Sequence, residues 1–186
     1  KNMIEILLEH GFKIPTPIQM VSIPAIMLGH DVLGIAQTGS GKTVAFLAPI
    51  INRMIKDKSD GKYIPNPSIL ILVPTRTLAL QIATVAKTFC ERNDLYSLAV
   101  VGGVDSDILM LSVAKKEAQL IVATPGALLG PISQGQCDLS QVNVVVLDEA
   151  DEMLGLGFEE DVRTILSHTK GPGNIQTLLF SATMPH

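Results

Sequence analysis

Two cysteines, Cys90 and Cys137, stand far apart in the sequence, and neither lies near a histidine at metal-ligand spacing. His10, His30, His168 and His186 are just as scattered, so the thiols read as buried or incidental and no zinc site is expected. No apolar run approaches the roughly 18 residues of a membrane span, and no charged-then-apolar leader opens the chain. The expectation is an intracellular protein without a membrane segment, nuclear and cytoplasmic locations being left open. A basic surplus is also missing: 14 Lys and Arg against 18 Asp and Glu leave a net charge of −4. That excludes binding of a polyanion through a broad cationic face and requires local geometry instead. Low-complexity segments and close sequence repeats are absent as well.

What is present favours a buried sheet. With 186 residues, 47% of them apolar and 17% charged, and a mean hydropathy of +0.37, the chain suits one domain whose sheet is covered on both faces. From Ile69 onward one unit recurs: a short β-branched or Leu-rich run, a turn, then a helical stretch. The runs are Ile69 to Val73, Leu98 to Val101, Leu120 to Ala123, Val142 to Leu147 and Thr177 to Phe180. Such alternation predicts an α/β fold with an open parallel sheet and helices on both faces. Each run ends in an unusual polar cluster, and in an open α/β sheet the carboxyl edge is where ligands bind.

The first cluster is Ala36-Gln37-Thr38-Gly39-Ser40-Gly41-Lys42-Thr43, between the apolar run 31–35 and the helical pattern opened by Val44. Strand, glycine-rich turn and helix in that order make a phosphate-binding loop, here in a relaxed form with Ala36 where the strict pattern has Gly. Gly39 and Gly41 free the backbone so that N–H groups close round phosphate oxygens, Thr38 and Ser40 completing the stretch. Lys42 supplies a point charge for the outer phosphates and Thr43 a hydroxyl able to ligate magnesium.

The second cluster, Asp148-Glu149, ends the run Val144 to Leu147. Magnesium takes hard oxygen ligands and keeps much of its water, so Asp148 can hold it partly through water while Thr43 binds directly. Glu149 is the candidate to orient or deprotonate an attacking water. Upstream, Thr16-Pro17-Ile18-Gln19 reads as an N-cap, a proline at the first helical position and a capping-box glutamine. The same Gln19 amide could read the edge of adenine. Residues 2–9 have helical spacing that stops at Gly11, Pro24 and Pro49 are expected to kink or shorten their helices, and 57–68 reads as a surface loop.

Asp148-Glu149-Ala150-Asp151, with Ala36 to Thr43, Ser181-Ala182-Thr183, Thr124-Pro125-Gly126 and the segment from Gly11 to Gln19, resembles the first RecA-like lobe of a DEAD-box ATP-dependent RNA helicase. The resemblance spans almost the whole chain. It implies ATP and Mg2+ as cofactors, adenine recognition by Gln19 with Phe12 among the nucleotide-binding residues, and catalysis by Glu149 with Lys42 and Asp148. It implies too that Asp151 couples the nucleotide site to Ser181 and Thr183, which transmit its state to RNA. Pro74, Thr75, Arg76, Gly102, Gly103, Thr124, Pro125 and Gly126 would line the RNA face, where helix N-termini and glycines bind backbone phosphates without base identity.

Two positions depart from the family pattern: Thr77 replaces a usual Glu, and Ala127 a usual Arg. If those two normally pair, their joint loss avoids one buried unpartnered charge; Ala127 also removes a cation from the RNA face. The family's upstream adenine-stacking aromatic falls at or before residue 1. A monomer is expected, working with a second RecA-like lobe of the same polypeptide and with possible protein cofactors. That second lobe brings arginines to the γ-phosphate, so the 186-residue lobe alone should hydrolyse ATP hardly at all. Two alternatives stay open: a DNA-directed P-loop ATPase, and an ATP-gated RNA clamp or scaffold that does not unwind.

Overall fold

Six short strands carry the architecture: β1 Val32–Ile35, β2 Ile69–Leu72, β3 Ser97–Val100, β4 Leu120–Ala123, β5 Val144–Leu147 and β6 Gln176–Ser181. They form a single parallel sheet in the order β1-β6-β5-β2-β4-β3. The computed structural model describes residues 2–103, 118–171 and 173–183, so the helical stretch expected between Gly103 and β4 lies outside the described residues. The described helices are α1 Met3–Glu9, α2 Pro17–Met27, α3 Lys42–Ser59, α4 Arg76–Cys90, α5 Pro125–Ser133, α6 Ala150–Gly155 and α7 Glu159–Ser167.

Strand side chains alternate between two cores. Ile69, Ile71 and Val73 join α3 and α4 residues such as Leu47, Ile51 and Ile82 on one face. Leu70 and Leu72 join Leu128, Met153 and Ile165 from α5, α6 and α7 on the other. A strand covered twice has no polar positions, which is why β2 reads as an unbroken apolar run. Each such side chain contributes about 1.5–3 kcal/mol on leaving water.

On the α3 face, Phe180 of β6 packs beside Phe46, their centroids 5.3 Å apart. It also lies over its register partner Gly34, where an added Cβ would come within 2.5 Å of Phe180 Cε1. Gly34 is therefore a close-approach glycine of the edge strand.

Register places the strand ends in line. Ile35 pairs Ser181, Leu147 pairs Leu179 and Leu72, and Ala123 pairs Leu72 and Val100. The ladder continues one residue beyond: Ala36 N donates to Ser181 O at 3.0 Å, Asp148 N to Leu72 O at 3.0 Å, Val73 N to Ala123 O at 3.0 Å and Thr124 N to Val100 O at 3.2 Å. Every polar cluster singled out above thus leaves the sheet at one edge. At the opposite edge, Gln176 Nε2 donates to Ile26 O and His30 O while Arg53 Nη2 donates to Gln176 Oε1, which ties α2 and α3 to β6.

Two local expectations change. Helices α2 and α3 run through Pro24 and Pro49 without ending, because core contacts on both sides outweigh one lost hydrogen bond each. The loop expected over 57–68 starts late, since α3 continues to Ser59; Lys62 Nζ donates back to Asp57 Oδ1 at 2.7 Å.

Candidate functional site

The loop from Ala36 to Gly41 rises out of β1 and turns into α3 on two left-handed glycines, Gly39 at φ +81° and Gly41 at φ +92°. A side chain at 41 would be strained by that backbone and would also collide with Gln19 Nε2 at 2.6 Å and Thr16 Oγ1 at 2.9 Å. Lys42, only 6% exposed, begins α3 and turns its Nζ back to donate to Ala36 O at 2.7 Å. Thr43 follows, half-buried in the same helical turn.

Gln19 serves this loop and the cap of α2 together. Its Oε1 accepts from Thr16 N at 3.0 Å and its Nε2 donates to Gly41 O at 3.1 Å. The capping role read from the sequence is present, and the other half of the amide is turned to the phosphate loop. Beside it two buried hydroxyls, Thr16 Oγ1 and Ser40 Oγ, lack hydrogen-bond partners. An open depression of about 640 Å³ lies alongside, bounded by Thr16, Pro17, Val21, Ile35, Gly39 and Ser40. The ring of Phe12 meets Phe89 at the end of α4 edge-on, with centroids 6.4 Å apart.

Across the sheet edge β5 delivers Asp148, 3% exposed, whose Oδ1 accepts from Glu149 N at 3.0 Å. Burial raises its pKa; the Lys42 charge and that N–H pull it down, and Asp151 adds to the rise. Glu149 adopts a left-handed conformation, φ 53°, at the N-cap of α6. Burial, a hydrogen bond with Glu152 and the charges of Asp148 and Glu152 push its carboxyl up to about 7, against the pull of Lys42.

Asp151, in the first turn of α6, is tied to the end of β6. Its Oδ2 accepts from Thr183 N at 3.0 Å and from Thr183 Oγ1 at 2.8 Å, and Ser181 Oγ donates to Thr183 O at 2.6 Å. Burial opposes ionisation of Asp151, but hydrogen bonds from Thr183, Ser181 and the Glu152 backbone outweigh it and bring its pKa to about 2. Since Ser181 O accepts from Ala36 N and Ala36 O from Lys42, an unbroken series of contacts runs from Asp151 to the phosphate loop.

The remaining clusters occupy the β2-β4-β3 end of the same edge. Thr75 caps α4, its Oγ1 accepting from Leu78 N at 3.3 Å; Thr124 holds the N-cap position of α5 without a side-chain bond. Pro74 and Pro125 are buried, Gly126 is exposed, and Arg76 Nη1 donates to Gly102 O at 2.8 Å beside Gly103. Thr77 is exposed and Ala127 half-buried, so a charge at 77 would stay in water.

Sequence reasoning missed the Ala36 carbonyl as the acceptor for Lys42, of which side-chain spacing carries no sign.

Comparison with known proteins agrees with this geometry. The DEAD/DEAH box helicase family matches residues 16–186. ATP-dependent RNA helicase DBP3 of Lodderomyces elongisporus is 45% identical over 94% of this chain and 31% of its own length, and DeaD of Escherichia coli is 43% identical over 98% and 28%. The chain therefore spans about a third of the length of these relatives. Among solved structures, the yeast DEAD-box splicing factor Prp28 superposes with a TM-score of 0.86 at 36% identity, covering 97% of this chain and 43% of that one. A hypothetical ATP-dependent RNA helicase from Sulfolobus tokodaii gives 0.85 at 34%, covering 99% and 51%. By sequence, by its all-parallel RecA-like sheet and by the residues gathered along its edge, the chain belongs to the DEAD/DEAH box helicase family.

Proposed function

We propose that this chain is the ATP-binding lobe of an ATP-dependent RNA helicase, in which ATP binding and hydrolysis drive RNA binding and local duplex unwinding or remodelling. The observation that carries the reading is that the loop ending in Lys42 and the buried Asp148 leave the same edge of the sheet, from strands β1 and β5 on either side of β6.

The residues present suit a magnesium nucleotide. Thr43 and Asp148 offer only hard oxygen donors, and burial of Asp148 gives it a need for a cation that Lys42 meets in part. Thr16 Oγ1 and Ser40 Oγ are buried polar atoms still in want of partners beside a loop whose glycines leave the backbone open. Held by Thr43 and Asp148, magnesium would supply positive charge to offset the negative charge that develops during phosphoryl transfer.

In this reading Thr38, Gly39, Ser40, Gly41 and Lys42 bind the phosphates, and Gln19 reports occupancy of the loop while facing adenine. Glu149 orients the attacking water and takes its proton, its basicity already raised. Asp151, Thr183 and Ser181 carry the state of the loop to the RNA face lined by Pro74, Thr75, Arg76, Gly102, Gly103, Thr124, Pro125 and Gly126. A second RecA-like lobe of the same polypeptide completes the site. The test is steady-state ATP turnover by the full-length protein with and without single-stranded RNA. Turnover stimulated by RNA and abolished in Glu149→Gln supports the reading; RNA-independent turnover, or equal stimulation by DNA, overturns it.

A further inference from the structure

Strands β2 and β3 are not neighbours, for β4 lies between them, and two strand spacings separate their ends by about 10 Å. Arg76 links the segments that follow them. It is the first residue of α4, the helix that follows β2, and its Nη1 donates to Gly102 O, just past the end of β3, at 2.8 Å. Thr124, Pro125 and Gly126 follow β4, the strand between. The guanidinium also fills the place of a side chain at 103: a Cβ there would lie 2.7 Å from Arg76 Nη1, and Gly103 holds φ +74°.

We propose that Arg76 is a positioning residue: a strut that fixes the turn at Gly102 and Gly103 relative to the N-terminus of α4, and so sets the spacing of the backbone groups flanking β4. A guanidinium suits this task, since its planar fork of five donors can hold a carbonyl at the end of a long reach, whereas an ammonium is a point charge on a flexible stem. The inference rests on the reading of this edge as an RNA face, and it assigns Arg76 a role distinct from that of a phosphate counter-charge.

Counter-charge and strut leave different traces. Removing a phosphate-neutralising cation flattens the dependence of log K on log salt by about 0.7 for single strands, and a lysine restores it. Removing a strut weakens binding while the slope stays put, and lysine does not rescue. The experiment titrates single-stranded RNA into the full-length protein at several salt concentrations, as wild type, Arg76→Lys and Arg76→Ala. Both variants are expected to bind about three- to tenfold more weakly, the worth of one net hydrogen bond, with wild-type slope. Wild-type affinity in Arg76→Lys, or a flattened slope in Arg76→Ala, overturns the proposal.

A second measurement needs no RNA. Gly103→Ala should lower the melting temperature less in an Arg76→Ala background than in wild type, because the collision with the guanidinium is gone while the backbone strain remains. Additive effects overturn the strut. Should the wild type fail to bind RNA, the proposed function falls, and this cycle still decides whether Arg76 holds the turn.

Discussion

Lys42 Nζ donates to Ala36 O at 2.7 Å, so the cation of the phosphate loop is held by the residue that begins the loop. Ala36 N in turn donates to Ser181 O at 3.0 Å, which makes one residue the meeting point of the lysine and β6. In the proposed function a phosphate entering the loop would compete with that carbonyl for Lys42. Replacing Lys42 by Ala should weaken nucleotide binding about 10- to 100-fold, the range for one charge-assisted hydrogen bond. Calorimetric titration with a nucleotide checks this, and undiminished affinity refutes it.

Glu149→Gln should change how stability depends on pH. The carboxyl stands at about 7 in the folded chain against 4.5 for the free group, so its contribution is complete below 4.5 and is lost as pH rises through 7. The wild type should therefore lose melting temperature between pH 5 and pH 8 relative to the variant, measured without magnesium. Parallel melting profiles would show that Glu149 is not perturbed.

Asp151→Asn works with the opposite sign. Its carboxyl is depressed to about 2, so its contribution is present above the ordinary 3.8 and disappears as pH falls through about 2. The variant should be less stable by about 1 kcal/mol at pH 7, a value kept small by solvent exposure, and the gap should close towards pH 2. Denaturant titrations at both pH values give the comparison, and a gap unchanged at low pH would count against the Asp151–Thr183 bonds.

Gln19→Glu separates two jobs of one side chain. The carboxylate can still accept from Thr16 N, but in place of the Nε2 donor it sets an acceptor against Gly41 O. The melting temperature should fall slightly and nucleotide affinity more, whereas Gln19→Ala should lower both. If Gln19→Glu binds nucleotide as wild type does, the contact with Gly41 is incidental.

Gly34→Ala drives a methyl group into Phe180, whose Cε1 would be 2.5 Å away. A cost of about 1–3 kcal/mol is expected from overpacking. Phe180→Leu should be destabilising alone yet recover part of that loss in the double variant, read by chemical denaturation. Strict additivity would mean that the sheet relaxes without strain.

The sequence by itself determined the strands, the sheet class and the ligand-binding edge. β2, β4 and β5 are short aliphatic runs whose two-sided burial demands apolar residues throughout, and a proline-threonine pair or adjacent acids mark where each run stops. Local chemistry also made Thr75 and Thr16 legible as helix starts. Tertiary structure alone decided which of those ends meet. The order β1-β6-β5-β2-β4-β3 sets Ser181 beside Ala36 and interposes β4 between β2 and β3, so Asp151 reaches Thr183 and Arg76 bonds Gly102 beyond a strand that β2 does not pair. It decided too that Phe12 packs against Phe89 and that Thr77 lies in solvent. The physical reason is that periodicity and capping are short-range, set by residues within a turn or two. Contacts between side chains a hundred positions apart depend on strand order and register, which no local pattern encodes.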